Sequence, residues 1–127
     1  MEKMNLFENG KMVISGIQYN IDNIEWNPHP AFKGVSMKHI IKGADTNGRL
    51  SCHIVKIDPE CEIGNHIHEG KLELHEVVTG HGRGTIGEES FDYSAGMVSY
   101  IPDDIKHSVK AGKDGMYILA KFSPALI

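Results

Sequence analysis

Four residues of this sequence have the types and spacing to hold a metal ion. His66-Ile67-His68 sets two imidazoles two positions apart, and on a strand that spacing turns both to the same face. Glu73 follows five positions after His68, past the short polar link Glu69-Gly70-Lys71. If the chain turns back there as a hairpin, the carboxylate on the returning strand faces the two rings. The fourth residue is His107. Alternation over Lys106–Ala111 groups it with Val109 and Ala111, opposite Lys106, Ser108 and Lys110. His107 therefore points to the apolar side, where an unpartnered imidazole is costly. Three neutral nitrogens and one carboxylate suit a first-row divalent transition metal with one to three coordination positions open. Softer sites would need thiolates, and Ca²⁺ or Mg²⁺ would want more oxygens. His75, two residues past Glu73, shares its inward face. It is the expected catalytic residue, as a general base, a substrate hydrogen-bonder or a fifth ligand.

Strands must position these groups, because helical periodicity is hard to find anywhere. Short stretches rich in Val, Ile, Thr and Tyr recur between Gly, Pro, Asn and Asp. The pattern predicts strands over Lys11–Tyr19, Val35–Lys42, Leu50–Ile57, Glu62–His68, Glu73–Thr79, Gly82–Ile86, Glu89–Tyr93, Met97–Ile101, Lys106–Ala111 and Met116–Phe122. Asn20–Phe32, with Pro28 and Pro30, reads as an extended connection. About ten short strands at regular spacing mean an all-β sandwich or barrel. Val35, Met37, His39 and Ile41 share a face opposite Ser36, Lys38 and Lys42, so His39 is also expected to point inward. For His53 parity decides nothing, since both faces of Leu50–Ile57 carry apolar residues. Trp26 and Tyr100 read as packing residues, and His29 and His81 as solvated loop residues.

Composition narrows the function classes. The 127 residues are one domain's worth, with formal net charge −4 and only two arginines, Arg49 and Arg83. Phosphate backbones and anionic membranes are bound by clustered Lys and Arg, and the lysines here are spread along the chain. Nucleic-acid and membrane partners are therefore not expected. No stretch approaches the roughly 20 apolar residues of a membrane-spanning helix. Met1 to Gly10 has no apolar core of a signal peptide, so a cytoplasmic domain is expected. Cys52 and Cys61 are too few for a disulfide framework and match no zinc spacing; both are expected as reduced thiols.

The motifs, taken together, resemble those of the cupin superfamily. Gly64-Asn65-His66-Ile67-His68-Glu69-Gly70-Lys71-Leu72-Glu73, then six residues and Gly80, is similar to the first cupin motif. Gly96, then five residues, Pro102, one residue, Asp104, two residues and His107, is similar to the second. Fifteen residues lie between Gly80 and Gly96, a spacing like that of small microbial cupins. There are departures. Asp104 stands where the family has Gly, although Asp tolerates left-handed backbone better than most residues. Ala111 replaces an Asn, and neither Glu60 nor Cys61 supplies the Gly expected before the first His. All four ligand positions are intact.

The resemblance implies a small single-domain cupin, a double-stranded β-helix of jelly-roll type. N-terminal strands and a connection would occupy residues 1–49, the conserved barrel 50–122 and a tail 123–127. It implies one divalent transition metal (Zn, Fe, Mn or Ni) on His66, His68, Glu73 and His107. The function it implies is metal-dependent chemistry, of dioxygenase, isomerase or lyase type, on a small oxygen-rich organic acid, enol or sugar-like molecule. His75 would move a proton. The competing class is a non-enzymatic binding or sensing module. Few arginines argue against polyanionic substrates. Strands with apolar residues on both parities, and the tail Ala125-Leu126-Ile127, point to a homodimer.

Overall fold

The structure, a computed structural model, describes residues 5–127; residues 1–4, part of the segment read above for a signal peptide, lie outside it. After a single helical turn come β1 (Lys11–Ile14) and β2 (Ile17–Asn20), then a 3₁₀ turn at Ile21–Asn23, β3 (Asn27–Pro28), β4 (Val35–Ile41) and a second helical turn at Gly43–Thr46. Then follow β5 (Ser51–Ile57), β6 (Glu62–His66), β7 (Leu72–Ile86), β8 (Glu89–Ser94), β9 (Val98–Ile101) and β10 (His107–Ser123). The chain is nearly all β, as expected.

Two long strands build the barrel by serving both of its walls. The first part of β10, His107–Ala111, lies between β6 and the Gly82–Ile86 end of β7. Its second part, Met116–Ser123, lies between β5 and the Leu72–Gly80 end of β7. The register shifts between Ala111 and Met116, where both strands fold from one wall to the other. The sequence pattern predicted two strands on each side of this corner; the structure has one continuous, bent strand in each case. Gly80 makes the bend in β7. Its φ is +85° and a Cβ there would sit 2.0 Å from the Gly115 carbonyl oxygen, closer than any side chain can approach. The two walls enclose a core of Val35, Val55, Ile63, Val77, Ile118 and Phe122 with their neighbours.

A second apolar layer lies outside this barrel. Ile54, Tyr117 and Leu119 point away from the interior and are covered by Ile21, with Met12 and Trp26 at the edge. Apolar residues on both parities of β10 are thus covered within one chain. The same layer explains two departures from alternation in β4. Lys38, expected on a solvated face, is 4% exposed; its Nζ donates to the Ile21 carbonyl at 3.3 Å and lies 5.2 Å from the Trp26 ring centre. A bulge between His39 and Ile41 turns Ile41 to this outer layer with Ile40, while His39 keeps the inner side. Tyr100, expected to pack, is 57% exposed.

The region Lys11–Tyr19 is a hairpin rather than one strand, because Ser15 and Gly16 take φ of 50° and 81°. The C-terminal tail folds back on its own barrel. Leu126 packs against the inner core, and the Ala125 N–H donates to Gly48 O at 2.9 Å. The tail, read from the sequence as a dimer contact, thus packs at least partly within its own chain.

Gly80→Ala combines a left-handed backbone with a clash against a carbonyl that cannot move without breaking the corner. The expected cost is about 3 kcal/mol or more, measured by urea unfolding. Gly16→Ala, at a similar φ of 81° with open space around it, is expected to cost only about 1 kcal/mol. Equal costs would show that the corner contact is unimportant.

Candidate metal centre

The expected hairpin between His68 and Glu73 does not form. β6 pairs with β10 and not with β7, and residues 67–71 instead cross from one wall to the other. Five residues reach up to roughly 16 Å when extended, enough to bridge walls about 10 Å apart. The Asp104 N–H donates to the His68 carbonyl (3.3 Å), and the Asp104 Oδ1 accepts the Gly70 N–H (3.1 Å). Asp104 does this at φ 62°, taking the left-handed backbone where the family motif has glycine.

The result is that Glu73 meets the histidines across the interior. On β7, Glu73, His75 and Val77 alternate inward, each 5% exposed or less. On β10, His107 sits opposite His66 of β6. One ligand atom from each of His66, His68, Glu73 and His107 lies within 4.8 Å of every other. The ring centres of His66 and His107 are 4.1 Å apart.

Hydrogen bonds set which nitrogen faces the centre. The Nδ1–H of His66 donates to Gly64 O at 2.8 Å, and that of His107 to Ile105 O at 3.0 Å. Each ring therefore turns its Nε2 towards the centre, the arrangement in which an outer partner orients a ligating imidazole. Glu73 Oε2 accepts from His75 Nε2 at 2.7 Å. His75 Nδ1 accepts the Tyr93 hydroxyl at 3.0 Å, and Tyr93 is bonded in turn to Ser99. Both ring nitrogens of His75 are thereby engaged.

Among the described residues, two buried side-chain polar atoms have no hydrogen-bond partner: Glu73 Oε1 and His107 Nε2. They are 3.1 Å apart, close enough that, against burial, the Glu73 carboxylate holds the His107 pKa above its ordinary value, and His68 Nε2 is 3.7 Å from the same carboxylate oxygen. Orphaned polar atoms at this depth cost about 1–3 kcal/mol each. A divalent cation among them would satisfy both, so the residues fit the metal that their types imply. Burial pushes the Glu73 pKa up, but the neighbouring His75 and His107 outweigh it and hold the carboxyl well below its usual range. Burial lowers the His68 pKa to about 4, and it lowers that of His66 as well. These rings are neutral, and available as ligands, at neutral pH.

A pocket of about 50 Å³ lies over these groups, walled by Val109, Ile118 and Phe122. Past His29, Met37 and Leu126 it continues into an open cleft of about 280 Å³, which His39 and His68 also line. Among the described residues, no Lys or Arg lines either space. His29, expected in solvent, stands at this opening, its ring centre 4.8 Å from that of Phe32. Its neighbouring prolines hid that position, since they show only an irregular segment.

Sequence reasoning also missed a second imidazole pair. The β4–β5 register sets His39 directly opposite His53, and their Nδ1 atoms are 2.8 Å apart. His53 is fully buried, its Nε2 2.8 Å from Ser51 Oγ and its ring against Phe122. Cys52 and Cys61 are free thiols, and burial raises the pKa of Cys52.

Comparison with known proteins agrees with this architecture. The cupin domain family model matches residues 53–119, more than half of the chain, and the chain belongs to that family. Among solved structures, KdgF from Halomonas sp. is 22% identical, with 81% of this chain and 90% of that chain covered at a TM-score of 0.70. A predicted oxalate decarboxylase from Thermotoga maritima is also 22% identical, covering 81% and 95% at 0.72. Ectoine synthase from P. lautus is 21% identical, covering 74% and 67% at 0.65. At these identities the likeness is one of fold. No curated protein matches the sequence.

Burial of His53 gives stability a pH dependence. Desolvation, reinforced by His39, lowers its pKa from 6.5 to about 4 in the folded chain. Above pH 6.5 the ring is neutral in both states and contributes nothing. As pH falls from 6.5 towards 4 the unfolded chain binds a proton that the folded chain refuses, and stability falls by on the order of 3 kcal/mol. Thermal unfolding of chelator-treated protein between these limits is expected to show a shallower decline for His53→Leu than for wild type. Parallel declines would contradict a buried, neutral His53.

Proposed function

We propose that this cupin is an enzyme that holds one divalent transition metal (Zn, Fe, Mn or Ni) on His66, His68, Glu73 and His107. Its substrate is a small oxygen-rich organic acid, enol or sugar-like molecule that chelates the ion. The observation that carries this reading is the pair of orphaned atoms, Glu73 Oε1 and His107 Nε2, beside a pocket that Glu73, His66 and His68 line. When bound, the metal supplies a Lewis acid that polarises a chelated oxygen.

The chain's own residues would do the rest. Apolar walls exclude water and keep the centre's charge unscreened. The lack of cationic lining among the described residues supports small substrates of low charge over polyphosphates. His75 was expected to move a proton. With its Nε2–H on Glu73 and its Nδ1 on Tyr93, it acts in this proposal through Glu73, holding the carboxylate and taking up charge changes there. A cytoplasmic setting belongs to the same reading, supported by the free thiols. So does a homodimer, for which the exposed Val98 and Tyr100 of β9 offer an apolar face.

The occupied nitrogens of His75 also favour a second reading, a non-enzymatic cupin that binds or senses a small chelating ligand. Incubating metal-loaded protein with enolisable hydroxy-ketones and 2-oxo acids in D₂O, alongside oxygen-uptake assays, separates the two. The enzyme reading predicts deuterium incorporation or oxygen consumption at least about 100-fold above metal-free protein. It also predicts loss of most of that rate in His75→Phe. Ligand binding without turnover across the panel would establish the binding module instead. Full turnover in His75→Phe would remove His75 from the mechanism.

A further inference from the structure

We infer that His39 is a ligand-binding residue whose tautomer is fixed by a buried hydrogen-bond chain, so that it presents an Nε2–H donor to the cleft beside the metal centre. The chain begins at the C-terminal segment. The Leu126 backbone N–H donates to Ser51 Oγ at 2.9 Å, and this bond has only one direction, because a backbone nitrogen cannot accept. Ser51 is fully buried. Among the described residues its hydroxyl has, besides that donor, one partner, His53 Nε2, at 2.8 Å.

The hydroxyl proton therefore goes to His53 Nε2. In the opposite arrangement, with His53 donating, Ser51 would accept two bonds and leave its own O–H buried and unpaired, at a cost of about 1–3 kcal/mol. With Nε2 accepting, neutral His53 carries its proton on Nδ1. That proton occupies the 2.8 Å gap to His39 Nδ1, which can only accept. Neutral His39 then carries its proton on Nε2, on the side of the ring away from His53.

Sheet geometry makes this chain rigid. His39 and His53 are register partners on β4 and β5, and the His53 ring is fixed against Phe122 at 5.6 Å between centres. Phe122 in turn stacks edge-on against the metal-ligand candidate His68 at 4.8 Å. His39 lines the 280 Å³ cleft together with His68 and His29, and it also borders a second cleft with Tyr19, Ile40, Lys42 and Asp45. Burial holds both His39 and His53 below their ordinary pKa, so the pair stays neutral at physiological pH. A fixed donor there fits an acceptor oxygen of a ligand whose other end chelates the metal. That half of the inference rests on the metal reading proposed above, whereas the tautomers do not.

Long-range proton–nitrogen NMR on nitrogen-15-labelled, metal-free protein near neutral pH reads the tautomers directly. The expected result is His39 protonated at Nε2 and His53 at Nδ1 in the wild type, with mixed or reversed tautomers in Ser51→Ala. Reversed tautomers in the wild type, or tautomers unchanged in Ser51→Ala, would overturn the chain. Tartrate binding to metal-loaded protein tests the donor. His39→Phe is expected to weaken it about tenfold, the loss of roughly 1.4 kcal/mol. His39→Gln, which keeps an N–H near the same place, is expected to restore most of it. Unchanged affinity in His39→Phe would overturn the ligand contact. A wild type that takes up no metal would sink the metal reading, and the NMR result alone would then decide this inference.

Discussion

A carboxylate buried in an apolar barrel is the constraint on which the rest of the structure depends. Glu73 is 5% exposed, and an isolated ion there would be destabilised by far more than a domain's whole stability margin. The fold answers with polar groups on every side. His75 bonds one carboxylate oxygen, and His68 and His107 crowd the other. The compensation is incomplete on that second side, and this incompleteness gives the site its chemical meaning. Interiors that exist only for stability do not leave a carboxylate oxygen and an imidazole nitrogen unpaired at one point.

Placing four such groups together requires strands from both walls. β6 and the first part of β10 supply His66 and His107; the first part of β7, in the other wall, supplies Glu73. The bend at Gly80, where only a residue without Cβ can lie against the Gly115 carbonyl, lets β7 and β10 belong to both walls. The loop that carries His68 is held by Asp104 of the turn just before His107. The two sequence motifs are thus physically tied to each other as well as to the ion they would share. Around them the apolar lining keeps the local dielectric low, which strengthens every charge interaction at the floor of the pocket.

Much of this was legible in the sequence. Period-2 alternation placed His107, Glu73 and His75 inward because one face of each strand meets the core and the other does not. The same rule failed where a second apolar layer covers the outer face: Lys38 is buried under Trp26, and a bulge displaces Ile41. Local spacing suggested a hairpin between His68 and Glu73, but strand partners are chosen by the whole barrel, and β6 pairs with β10 instead. The bent strands were read as pairs because the residues that permit bending, Gly80 and Gly112 to Gly115, are also those that end strands. His39 and His53 could not be paired without the β4–β5 register, and the site where Leu126 packs could not be read because a short apolar tail carries no sign of where it docks. Fold followed from pattern, whereas the reaction does not follow from fold.

The most direct test of the account is elemental analysis of protein purified without chelator, alongside Glu73→Gln and His107→Ala variants shown to be folded by circular dichroism. The account predicts close to one transition-metal ion per wild-type chain, and loss of most of it in both variants. A folded wild type that stays metal-free after reconstitution with Mn²⁺, Fe²⁺, Ni²⁺ and Zn²⁺ would contradict it, as would variants that retain full metal content.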